Sequence, residues 1–108
     1  MKRFLLPLLF SSPLFAAIQT ESIRIPMRDG TQLVCDVYKD EAIERAPVIL
    51  TRTPYNRTKQ KGAGEKYAKA GYIFVAQDCR GKFESEGVFA PYNNEGQDGY
   101  DTIEWITR

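Results

Sequence analysis

Histidine is absent from all 108 residues. No Ser-His-Asp triad can be assembled from them alone, and no His-containing zinc site. Cysteine is scarce: Cys35 and Cys79 are the only two, too few and too far apart for a metal cluster. The one long apolar run, Phe4 to Phe10, is too short to span a bilayer. Neither charge sign dominates. The fifteen basic residues fall to thirteen once Lys2 and Arg3 are set aside, against fourteen acidic ones. A near-neutral chain offers no basic face for nucleic acid and no electrostatic pull toward an anionic membrane. Repeats and low-complexity stretches are lacking too. With 43% hydrophobic and 27% charged residues, the composition is that of a globular protein, and the length allows one small domain.

Residues 1–17 read as a secretory signal peptide. Lys2 and Arg3 supply the positive start, Phe4 to Phe10 the apolar core, and Ser11, Ser12, Ala16 and Ala17 the small residues before a cleavage point. Pro7 and Pro13 argue against a buried N-terminal helix. Export implies a periplasmic or secreted protein, with no membrane attachment after cleavage and with disulfides chemically permitted.

The mature part, 18–108, reads as alternating strands and helices. Ser22 to Pro26 alternates apolar and polar residues, and Asp29-Gly30 signals a tight turn into Thr31 to Tyr38, a hairpin. Pro47 to Thr51 is a nearly continuous apolar run, the pattern of a strand buried on both faces. Polar Arg52 to Lys61 reads as a loop. Gly62 to Ala70 is predicted helical, ended by Gly71, and Tyr72 to Gln77 is a second buried strand. A long loop follows from Asp78 to about Tyr92. A last helix is predicted with Asn94 as its cap and Gln97 three residues on. Its apolar face would carry Tyr100, Ile103 and Ile106, with Trp105 alongside and Gly96 allowing close contact with the sheet. The order, β-hairpin then β-α-β-α, predicts an α/β fold with an incomplete sheet of about four strands. About 91 residues is marginal for an independent core, so the chain reads as a fragment.

Four blocks then become specific. They are Ile25-Pro26-Met27-Arg28-Asp29-Gly30-Thr31-Gln32-Leu33; Arg52-Thr53-Pro54-Tyr55; Asp78-Cys79-Arg80-Gly81 with Ser85-Glu86-Gly87; and Asn94-Glu95-Gly96 with Asp98-Gly99-Tyr100-Asp101-Thr102 and Ile103-Glu104-Trp105. In order and spacing they resemble the opening of the Xaa-Pro dipeptidyl-peptidase and cocaine-esterase-like serine hydrolases. The resemblance implies the N-terminal part of an α/β-hydrolase fold, stopping before the Gly-x-Ser-x-Gly nucleophile turn. It implies cleavage of small-molecule ester, amide or Xaa-Pro peptide bonds by an acyl-enzyme in the full-length protein, with no cofactor and no metal. It also implies that the 108 residues alone are inactive.

One catalytic role carries over. Tyr55, in Arg-x-Pro-Tyr, takes the place of the family's oxyanion-hole donor. A fixed phenol O–H can donate to the charge that develops on the carbonyl oxygen in acyl transfer. Pro54 fixes its own φ and biases Thr53 toward an extended shape, which would hold the donor. The plainer reading of a loop tyrosine is packing against its neighbours.

Other candidates are set aside. Asp78 and Arg80 are expected to order the long loop through charge-assisted contacts. Ser85 lacks the strand-turn-helix setting of a nucleophile. Asp98 and Asp101 suit a helix start. Gly62-Ala63-Gly64 lacks the remainder of a phosphate loop. Asn56-Arg57-Thr58 matches a glycosylation triplet that arises readily by chance. The family's strand arrangement makes a Cys35–Cys79 disulfide conceivable, with two buried free thiols as the alternative. The competing reading of the whole chain is a non-catalytic exported protein or a truncated gene remnant. A lipase or carbohydrate esterase is disfavoured, because those enzymes present a His-Gly-rich oxyanion loop.

Overall fold

The computed structural model describes residues 17–90 and 92–108. The expected signal peptide, 1–17, lies outside the described residues except for Ala17. Four strands form one sheet: β1 (Ile18–Pro26), β2 (Gln32–Asp40), β3 (Val48–Thr53) and β4 (Ile73–Asp78), in the order β1-β2-β4-β3. β1 and β2 make the expected antiparallel hairpin, with Ile25 opposite Leu33. Gly30 turns it at φ 86°, a conformation glycine adopts without cost. β2 runs antiparallel to β4, and β3 runs parallel to β4 through helix α1 (Lys61–Lys69). A second helix, α2 (Glu95–Ile106), closes the described chain.

Side-chain alternation splits the core into two layers. On the α1 face, Tyr38, Phe74 and Ala76 pack with Ala68, and Tyr67 stacks on Phe74 at 5.8 Å between ring centroids. Gly64 presses its Cα against the ring of Tyr38, where no β-carbon fits. On the α2 face, Ile25, Met27, Leu33, Cys35 and Val75 form the second cluster, with Trp105 and Ile106 laid against it. Both cysteines are buried free thiols, and burial pushes each up to about 11.

Five expectations need correction. Val48 is 38% exposed and β3 is only half-buried, because the strand pairs on one side alone among the described residues. The supposed loop from Arg52 begins as strand and holds one 3-10 turn, Arg57–Gln60. The inward face of α2 differs in part from the expected one: Ile106 and Trp105 pack on the core as expected, and Tyr100 and Ile103 do not. Tyr100 and Ile103 are 59% and 51% exposed, while Asp98 and Thr102 are buried with Trp105 and Ile106 turned inward. Those four positions are correctly spaced for one helical stripe. Hydrophobicity alone missed it, because the sheet edge beneath offers Arg80 and Gln77 as polar partners. Asn94 precedes the helix without a side-chain cap bond, and Gly96 faces open space.

Candidate active site

The parallel pair sets the geometry. Thr53 lies opposite Asp78, so β3 and β4 end at the same edge of the sheet. Open α/β sheets bind ligands at that carboxyl edge. β3 runs into Pro54 and Tyr55, and β4 into Cys79 and Arg80.

Tyr55 is the first exposed side chain past the edge, 76% accessible. The backbone beneath it is held. The Tyr55 N–H donates to Thr53 Oγ1 at 3.0 Å, and the Cys79 N–H donates to the Thr53 carbonyl at 3.0 Å. Asn56 takes φ 88°, unusual for a residue with a β-carbon. Its Oδ1 accepts from the Thr58 N–H at 3.0 Å and the Thr58 hydroxyl at 2.8 Å, which fastens the turn. An open cleft of about 500 Å³ lies between Pro54 and Tyr55 on one side and Cys79, Phe89 and Tyr92 on the other. Tyr92, at φ 69°, is almost fully exposed. A cleft of about 560 Å³ at the opposite end of the sheet, between Val48, Ile73 and Trp105, is remote from these groups.

Two ion networks support this edge, one on each face of the sheet. On the α1 face Arg57 is buried among three carboxylates. Its Nε donates to Asp36 Oδ1 at 2.9 Å, Nη1 to Asp78 Oδ2 at 2.6 Å and Nη2 to Glu84 Oε1 at 2.6 Å. Its backbone N–H takes the other Asp78 oxygen at 2.8 Å. Burial works against the guanidinium cation, but the hydrogen bonds to Asp78, Glu84 and Asp36 outweigh it and raise the pKa.

On the α2 face Arg80 forks onto Asp98, with Nε at 2.9 Å and Nη2 at 2.8 Å, and reaches Asp29 at 2.8 Å. That contact, helped by the Thr31 N–H, holds the Asp29 carboxyl down at about 2. Arg52 donates to Gln77 at 2.5 Å and to Glu95 at 2.6 Å. Its Nη2 is buried without a hydrogen-bond partner, 3.9 Å from Asp98.

Asp78 and Arg80 therefore do order the loop, but on opposite faces and with different partners. Ser85 is buried, accepting from the Val34 N–H at 2.9 Å and donating to the Asp78 carbonyl at 2.6 Å. It is a brace within the loop. Asp101 accepts from both the backbone and the guanidinium of Arg28, tying α2 to the hairpin turn. Sequence reasoning missed Arg57. Its only trace was a basic residue inside a polar run, whose three acidic partners come from distant segments.

This arrangement, a hairpin feeding a mixed sheet with its loops gathered at one carboxyl edge, is that of an α/β hydrolase, and the hydrolase structures matched share it. The chain belongs to the X-Pro dipeptidyl-peptidase (S15) family, whose model matches residues 29–108. It is 37% identical over 91 residues to a cocaine esterase from Rhodococcus sp. (strain MB1 Bresler), covering 79% of this chain and 16% of that protein. Among solved structures it is similar to an α-amino acid ester hydrolase, with TM-score 0.72 and 27% identity, over 93% of this chain and 20% of the other. It is also similar to an aminopeptidase from a marine sediment Thaumarchaeota archaeon, with TM-score 0.67 and 32% identity, over 94% and 21%. These relatives are hydrolases, and the chain spans about a fifth of their length or less.

Proposed function

We propose that these residues are the opening segment of an exported serine hydrolase that cleaves ester or amide bonds through an acyl-enzyme, with Tyr55 as an oxyanion donor. The observation that carries the reading is the exposed Tyr55 side chain, set past the carboxyl edge of the parallel pair and walling a cleft there. A donor aimed at developing charge must be fixed before the reaction, and the bonds at Thr53 and Asn56 support such fixity. The serine, histidine and acid come from other parts of the enzyme, since histidine is lacking here. Substrates are small-molecule esters or amides, or short peptides, as the names of the relatives suggest. Lys2, Arg3 and the apolar run after them support export to the periplasm or beyond.

A fluorophosphonate probe and a chromogenic aryl ester test this on two proteins, the 108-residue chain and a full-length hydrolase that carries it. The long protein should be labelled and turn over, and the short chain should do neither. Serine-reagent-sensitive turnover by the short chain, or a folded long protein without any, would overturn the reading.

A further inference from the structure

Residues 53–57 form an arch with both feet on consecutive residues of the β4 end. One foot is the Thr53 carbonyl, which accepts from the Cys79 N–H. The other is Arg57, whose backbone N–H and guanidinium take one oxygen each of the Asp78 carboxylate. Tyr55 stands at the middle of the arch, two residues from each foot. Asp78 is itself immobilised, fully buried and with its carbonyl held by Ser85. The first foot is an ordinary backbone bond that any sequence could make. The second depends on side-chain chemistry.

We infer that Arg57 is the positioning residue of Tyr55: by clamping the far end of the arch to Asp78, it sets where the phenol points. The inference rests on the reading of Tyr55 as an oxyanion donor. Only a guanidinium meets the geometry, because three carboxylates approach three different nitrogens of one planar fork. An ammonium is a point charge on a flexible stem and cannot hold all three in those directions. The strain at Asn56 fits this role. A residue with a β-carbon at φ 88° persists only where its surroundings over-determine it, and here the clamp lies immediately after it. Arg57 itself is buried beneath the edge, whereas the cleft is walled by Pro54, Tyr55, Cys79, Phe89, Tyr92 and Glu95 among others. Its effect on chemistry therefore passes through the arch.

The test is a double-mutant cycle in the full-length hydrolase, reading kcat and KM separately. Arg57→Lys keeps the charge and loses the fork. It should lower kcat about tenfold or more, with KM changed less than about twofold, because a misplacement near 1 Å costs up to about a hundredfold. In a Tyr55→Phe background the same substitution should cost little further, because the group it positions is gone. Should Arg57→Lys fail to fold, Asp78→Asn replaces it. That variant keeps the carboxylates of Asp36 and Glu84 around the guanidinium and turns one Asp78 acceptor into a donor. The same kcat loss and the same lack of additivity are expected. An unchanged kcat in a folded variant, or an equal loss with and without the Tyr55 hydroxyl, overturns the positioning role. A Tyr55→Phe enzyme with undiminished kcat instead overturns the oxyanion reading on which it rests.

Discussion

Arg57→Met removes the only cation that pairs with Asp36 and Asp78 among the described residues, and its cost follows from burial and from what remains. Glu84 contributes little, since its side chain is 66% exposed and returns to water. Asp36 keeps the Ser22 hydroxyl at 2.6 Å, and Asp78 keeps the backbone N–H of residue 57. Breaking a buried pair by removing one partner costs about 3–5 kcal/mol, and these residual bonds place the loss near the lower end, about 3 kcal/mol. A segment of about 91 residues with a marginal core holds about 5 kcal/mol, the low end of the usual range, so the variant should keep about 2 kcal/mol and stay folded at low temperature. Its melting point should drop by roughly 12–24 °C. Urea unfolding followed by the single tryptophan, Trp105, which packs on the opposite face, reads this without touching the site. Glu84→Gln serves as the control and should cost under about 1 kcal/mol. If Arg57→Met were as mild as Glu84→Gln, the guanidinium would be a screened surface charge, and the clamp on Asp78 would have no energetic content.

Gly81→Ala would place a β-carbon against the backbone of Val88 and Phe89 at φ 75°, so neither rotation nor a flexible neighbour relieves it. The expected loss is about 2–5 kcal/mol in the same unfolding assay, together with a shifted Phe89 wall in the cleft. Acid should act through the α2 contacts to the hairpin turn. Hydrogen bonds from Arg80 lower Asp29 to about 2, and those from Arg28 lower Asp101, so both contributions are complete above about pH 4. They are lost as pH falls through the lowered folded-state values, so the urea midpoint should hold from pH 6 to about 4 and decline toward 2. A midpoint that rises on acidification through that range would contradict these pairings.

The order of elements was legible because each strand carried a local signal. Asp29-Gly30 marked the hairpin, Gly71 the helix end, and the apolar runs after Ala46 and Gly71 the parallel pair. What escaped was whatever depends on partners distant in sequence. The stripe of α2 reads as polar until Arg80 and Gln77 are beneath it, and Tyr100 and Ile103 look buried only if apolar character is taken as the sole guide. β3 reads as doubly buried because its residues are apolar, whereas its burial depends on neighbours that composition does not supply. The position of Tyr55 just past β3 was expected from the resemblance carried by four blocks in register, not from Arg-Thr-Pro-Tyr by itself. Its support by Arg57 could not be anticipated, since Asp36, Asp78 and Glu84 meet that side chain only through the sheet.

One hydroxyl group, that of Tyr55, bears on the chemistry most directly. Tyr55→Phe in the full-length hydrolase removes that oxygen and keeps the ring. Turnover of an activated ester should fall about a hundredfold, with KM and melting temperature nearly unchanged. A kcat equal to that of the parent enzyme would take Tyr55 out of the chemistry.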